Sequence, residues 1–330
     1  MHTNDSPTAV RVVTETGKHP ELTPAHQEAV VTAAIESHAE TTRRSYSGAW
    51  LQFQAWCEAH AYEVLPAAPE TVAAYLTDRA AEGRSVATLK LARAAIRYQH
   101  EERGLESPTH APGVARVLRG LRRRAAGSTP ALGQAKGLTA SDLAAIRATA
   151  CLPRSGPSGR TESPERAEQR GAVDIALVSV MRDAMLRRSE AVALNWCDVV
   201  FMDDSSARIT IRISKTDQDG IGAVQYIGPQ ATADLKAIKG DAGETDRVFP
   251  ISTRTIANRI QAAAKAAGLL GRFSGHSPRV GMTKDLIEAG FGLPAVQIAG
   301  RWRSPRMPAH YGRSQSVVRG AIARYHDRQG

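Results

Sequence analysis

SGHSPRVG (Ser274–Gly281), IAGRWRSP (Ile298–Pro305) and AHYGRS (Ala309–Ser314) hold, in order, an imidazole, a guanidinium three residues on, an indole and, nine residues after that, a phenol. His276 and Arg279 are spaced to lie about one helical turn apart on one face. Ser277 as cap and Pro278 as first residue supply the signals of a helix start, and backbone N–H groups at such a mouth favour an anion. A phosphate there would meet a histidine, an arginine and a helix dipole together. Pro308 and Gly312 flank Tyr311 closely. They predict a short or late-starting helix under it and a mobile phenol.

Upstream, ARITIRIS alternates Ile209, Ile211 and Ile213 with Thr210, Arg212 and Ser214, and Ala223–Ile227 reads as the returning strand of a hairpin. This is the one convincing β pattern. GAVDIALVSVMRDAMLRRSEAVALNW reads as a buried helix, a turn and a second helix, and CLPRSGPSGRTESPERAEQRG before it as an exposed loop. LTASDLAAIRATA opens this region with Thr139 or Ser141 as cap, and STRTIANRIQAAAKAAG onward is helical.

The first third is helical as well. Val30, Ala33, Ala34 and Ile35 share a face. Tyr46, Trp50, Phe53, Trp56 and Cys57 form an aromatic stripe that reads as core. PETVAAYLTDRAAEG starts at Pro69 and stops at Gly83. The next helix turns Val86, Leu89, Ala92 and Ile96 inward and Lys90, Arg93 and Arg97 outward. Arg116, Arg119, Arg122, Arg123 and Arg124 then cluster without an acidic neighbour. Such a cluster repels itself unless an anion is present, so it reads as a phosphate-tracking segment. Gly127, Ser128, Pro130 and Gly133 mark a boundary.

The whole chain, 330 residues with 43 Lys and Arg against 33 Asp and Glu, is long enough for two cores, and its net charge of +10 favours a polyanionic partner. Cys57, Cys151 and Cys197 are scattered, which suggests neither disulfides nor a zinc site and points to a reducing cytoplasm. No apolar run reaches the ~18 residues of a membrane span, and residues 1–22 read as a disordered arm without a secretory signal.

LRRSEAVALNW (Leu186–Trp196), Lys215, HSPR (His276–Arg279), GRW (Gly300–Trp302) and HYGRS around Tyr311 together resemble the tyrosine recombinases, or phage-type integrases, over about residues 24 to 330. The resemblance implies a mainly α protein. A helical core-binding (SAM-like) DNA domain would occupy 23–126, a linker 127–137, and an α+β catalytic domain with a small antiparallel sheet 138–330. It implies Arg187 and Arg279 as phosphate-binding guanidiniums, Glu190 as the buttress of Arg187, and His276 as proton handler. Trp302 would be an indole donor, Lys215 the general acid and Tyr311 the nucleophile forming a 3′-phosphotyrosine. The implied activity is site-specific breakage and rejoining of double-stranded DNA, for integration, excision or resolution, with no cofactor and no metal. DNA contacts are expected from Arg43, Arg44, Lys90, Arg93, Arg97, Arg119, Arg122, Arg123 and Arg124. The tail 316–326, amphipathic and too short to stand alone, is expected to dock on a neighbouring copy in a homo-tetramer on DNA. The setting would be the cytoplasm of a prokaryotic cell carrying a plasmid, phage or mobile element. A type IB topoisomerase-like enzyme and a catalytically silent DNA-binding regulator of the same fold are the alternatives.

Overall fold

The computed structural model describes residue 23 and residues 40–127, 135–156, 159–212 and 222–313. The arm 1–22, the helix expected around Val30 to Ile35, Ile213, Ser214, Lys215 and the tail 316–326 lie outside these. The chain divides into two compact units, Met1–Leu132 and Gly133–Gly330.

In the first unit four helices surround one core: α1 (Glu40–Ala59), α2 (Pro69–Ala81), α3 (Val86–Glu101) and α4 (Pro112–Gly127). Pro69 opens α2, where its missing N–H is not needed. Gly83 follows α2 at φ 80, a left-handed geometry that costs glycine nothing. Ser85 caps α3 by accepting from the Thr88 N–H at 3.2 Å. The aromatic stripe of α1 turns inward: Trp50, Phe53 and Cys57 pack with Val72, Tyr75 and Leu76, with Leu89 and Ile96, and with Val114, Leu118 and Leu121. His100 is fully buried among them. Its Nε2 accepts from the Ala67 N–H at 3.0 Å, so Nδ1 carries the proton and donates to the Ile96 carbonyl at 2.8 Å. Burial holds this imidazole below its ordinary pKa, in keeping with the neutral tautomer those bonds require.

The second unit is built around α6 (Pro164–Asp183), packed against α5 (Ala140–Ala150), α8 (Pro229–Ala237), α9 (Thr253–Ala266) and α10 (Ser277–Glu288). α6 begins seven residues earlier than the charged sequence suggests. Ser163 caps it, accepting from the Arg166 N–H, and Pro164 is its first residue, so the polar run 164–170 is the exposed opening of a helix and not loop. The preceding segment is tied down by Asp174. This buried carboxylate accepts from Arg154 (3.2 Å), Arg170 (3.4 Å) and Arg259 (2.7 Å), and Arg170 also holds Glu162 and the carbonyls of Ala150 and Leu152.

A three-stranded antiparallel sheet, β1 (Val199–Phe201), β2 (Ala207–Ile211) and β3 (Ala223–Ile227), runs in sequence order. Val199 stands opposite Ile209 and Ile211 opposite Ala223. On β2, Ala207, Ile209 and Ile211 face the core and Arg208 and Thr210 face out, the period of two that the sequence predicts. β1 is an addition to the expected hairpin. Its three residues are too few to display any period. The fold is thus mainly helical with one small sheet, as expected.

Residues 136–138 form a seam. The Lys136 N–H donates to the Arg272 carbonyl and the Leu138 N–H to the Ser277 carbonyl, both at 2.8 Å, and the Leu138 carbonyl accepts from Arg182 of α6. Gly281 of α10 makes this approach possible, because a Cβ there would run into the Leu138 carbonyl.

Candidate active site

Four segments of the second unit converge: the turn 184–187 leading into α7 (Arg188–Ala193), the start of α10, the turn 300–302 after α11 (Leu293–Ala299), and α12 (Arg306–Tyr311). Glu190 sits at the third position of α7, where a carboxylate reaches back to the turn. It accepts from the Arg187 backbone N–H at 2.8 Å, and its other oxygen takes the Arg187 guanidinium at 2.6 Å. The acidic residue thus orients the arginine three positions before it.

His276 precedes α10 directly. Ser277 is not the cap expected from sequence: it is the first helical residue, and its Oγ accepts from the Ser274 N–H at 2.9 Å. Arg279, one turn in, is completely buried. Its Nη1 and Nη2 donate to the carbonyls of Met185 and Gly300, and its guanidinium lies 4.3 Å from the centroid of the Trp302 ring. Trp302 therefore does something the sequence did not suggest: it forms the floor on which Arg279 is stacked. Burial, then Arg187 and Arg301, lower Arg279 to about 9, which leaves it cationic at neutral pH. Its Nε has no partner among the described residues.

Tyr311 ends α12, a six-residue helix containing Pro308, with Gly312 at its C-cap. The helix is short, as those two residues imply. The Tyr311 hydroxyl lies 3.1 Å from His276 Nε2. Burial, then Arg279, Arg187 and Arg188, push His276 down to about 4, so the imidazole is neutral and able to accept a proton at physiological pH. Burial raises the Tyr311 phenol, and Arg279 acts in the opposite sense.

Two arginines not singled out by sequence reasoning complete the electrostatics. Arg188 is exposed and lies across Gly275, where a Cβ would strike its side chain. Arg301 donates from Nη2 to the second Glu190 oxygen at 2.7 Å and to the Met185 carbonyl at 3.2 Å. The one signal for it was a basic residue between two motif positions, Gly300 and Trp302. Around one carboxylate the described residues gather Arg187, Arg279 and Arg301, an excess of positive charge suited to an anion. Arg187, Glu190, His276, Arg279, Trp302 and Tyr311 thus lie together, and Lys215 falls outside the described residues.

The basic residues of the first unit are less uniform. Arg116, Arg119, Arg122, Arg123 and Arg124 all face solvent on α4. Lys90 is exposed, but Arg93 donates to the Thr109 carbonyl at 3.3 Å and Arg97 pairs with Glu101 at 2.7 Å. Arg44 lines a cavity of about 190 Å³ with Gln52, Tyr75 and Arg79, and Arg43 is partly buried.

Residues 161–316 match the phage integrase family. The chain is 23% identical over 297 residues to the recombinase Cre of Escherichia phage P1, covering 82% of this chain and 83% of that one. Among solved structures it is similar to the XerH site-specific recombinase bound to its difH substrate after cleavage, with TM-score 0.60 and 15% identity, over 90% of this chain and 84% of that one. It is also similar to a lambda integrase tetramer bound to a Holliday junction, with TM-score 0.52 and 18% identity, over 90% and 88% of the two chains. The second unit thus holds a phage integrase domain. Over most of its length the chain is similar to the tyrosine recombinases.

Proposed function

We propose that the protein is a site-specific recombinase that cuts and rejoins double-stranded DNA through a covalent 3′-phosphotyrosine. The observation that carries this reading is the Tyr311 hydroxyl set 3.1 Å from a neutral His276, beside the buried cation of Arg279. In the proposed reaction the Tyr311 oxygen attacks the phosphorus while its proton passes to His276 Nε2. The new P–O bond to tyrosine replaces the bond to the 5′ oxygen, which leaves as a hydroxyl after taking a proton from Lys215. Arg187 and Arg279 hold the non-bridging oxygens, where charge grows in the transition state. A 5′ hydroxyl from another strand reverses the step. The phosphoester bond is conserved throughout, so the cycle needs neither a nucleotide nor a metal.

The first unit would clamp the duplex from its basic surface, and relatives solved with DNA support a duplex partner. We place residues 316–326 in the contact between protomers of a tetramer, a state represented by the lambda integrase structure, and the protein in the cytoplasm of its host. The test is incubation with a pool of randomised nicked duplexes, followed by denaturing electrophoresis and amplification of the protein-linked DNA. Wild type is expected to yield an adduct. Tyr311→Phe is expected to bind the selected duplex and yield none, and an adduct that survives this substitution would overturn the assignment.

A further inference from the structure

Glu190 has two arginine partners where the family resemblance supplies one. Arg187 approaches it from the same turn, and Arg301 approaches from the turn after α11. Three observations single out Arg301. Its φ is 52, in the left-handed region that glycine occupies freely and an L side chain occupies at a cost. That conformation brings its Nη2 to Glu190 at 2.7 Å and to the Met185 carbonyl at 3.2 Å, while Nε and Nη1 are buried without a partner among the described residues. Both of its acceptors are shared with other arginines of the site. Met185, itself at φ 47, also receives Arg279, and Glu190 also receives Arg187.

This sharing has a mechanical result. The Glu190 carboxylate is held from two sides: Arg301 takes Oε2, which leaves Oε1 to the Arg187 guanidinium and fixes the plane in which that guanidinium lies. Among the charges that oppose the burial of Glu190, Arg301 is the largest, and the carboxyl stays below its ordinary range. Strain kept at such a point is a marker of function when the surrounding contacts over-determine it.

We infer that Arg301 is a positioning residue: it locks Glu190, and through Glu190 it holds Arg187 in place opposite Arg279, so that both guanidiniums meet the phosphate without rearrangement. The inference rests on the recombinase reading above for its consequence in catalysis, though not for the positioning itself.

The full chain labelled with 15N-arginine provides the test, with the Arg187 Nε–H signal identified through Arg187→Lys. Arg301→Gly suits the backbone and removes the guanidinium, whereas Arg301→Lys keeps the charge. In Arg301→Gly the Arg187 signal is expected to broaden, and adduct formation at saturating selected duplex to slow about tenfold, the scale of one pKa unit of lost interaction. Arg301→Lys should recover part of both. On a Glu190→Gln background, Arg301→Gly should slow the reaction no further, because the two residues act through one contact. A sharp, unshifted Arg187 signal in Arg301→Gly, or losses that multiply in the double variant, would overturn the inference. If wild type forms no adduct while the Arg187 signal still depends on Arg301, the recombinase reading fails and the positioning stands.

Discussion

Arg116, Arg119, Arg122 and Arg123 project from α4 into solvent, whereas Arg187, Arg279 and Arg301 are drawn into the second unit. On α4 the burial of Val114, Leu118 and Leu121 fixes the helix, and the arginines merely ride on its outer face. In the site the arginines are themselves structural. Arg279 is bonded to two carbonyls and stacked on an indole, and Arg301 bridges a carboxylate and a carbonyl. A solvated guanidinium keeps its hydration and its freedom until an anion arrives. A buried one has already given up both during folding, so a transition state can use its charge without further reorganisation.

Three experiments press on that contrast. The largest effect is expected from Arg279→Ala. It strands the Gly300 carbonyl, takes one of two arginine donors from the Met185 carbonyl and leaves Trp302 without its cation, and an unpaired buried acceptor costs about 1–3 kcal/mol. Chemical denaturation should show a loss of about 3 kcal/mol, and no adduct should form. A stability change below about 1 kcal/mol would mean that the site arginines are no more structural than those of α4.

A smaller effect comes from acid. The unfolded chain protonates His276 near its ordinary pKa of 6.5, but the folded chain does so only near 4. Between those values the unfolded state binds the extra proton. Stability is therefore complete above about pH 6.5 and declines as pH falls toward 4. Between pH 7.5 and 5 the protein without DNA should lose about 1–2 kcal/mol more than His276→Gln does. Equal slopes in melting temperature would show that the histidine is not buried as described.

The smallest effect on stability, within about 0.5 kcal/mol, is expected for Arg122→Gln combined with Arg123→Gln. Their signature should appear in binding instead. The dependence of log Kd on log salt should become shallower by about one for each arginine that touches a phosphate. An unchanged slope would remove these two from the DNA surface.

The boundary between legible and illegible in the sequence follows the same division. The helix start at Pro69, the aromatic core of α1 and the alternation of Ile209 with Thr210 were readable because they depend on near neighbours in the chain. Glu190 was legible as the buttress of Arg187 through the family resemblance, whose motif holds the two residues three apart on one turn. Arg301 and Glu190 are 111 residues apart, and no local pattern marks their contact. The same holds for Asp174, which pins a Pro- and Gly-rich segment through arginines 15 or more residues away in two of three cases. Trp302 was recognised by position, but its stacking on Arg279 depends on Gly300, where a Cβ would collide with the indole.

The seam at 136–138 gives the site a mechanical address. The backbone that joins the two units enters the second one between α6 and α10, and there it is fastened to the Ser277 carbonyl, one residue from His276 and two from Arg279. Residues 136–138 and the start of α10, which carries the buried Arg279, are thus held together as one piece of backbone. A Cβ at Gly281, by pushing Leu138 away from α10, would reach Arg279 from behind, through the backbone and without touching the site itself.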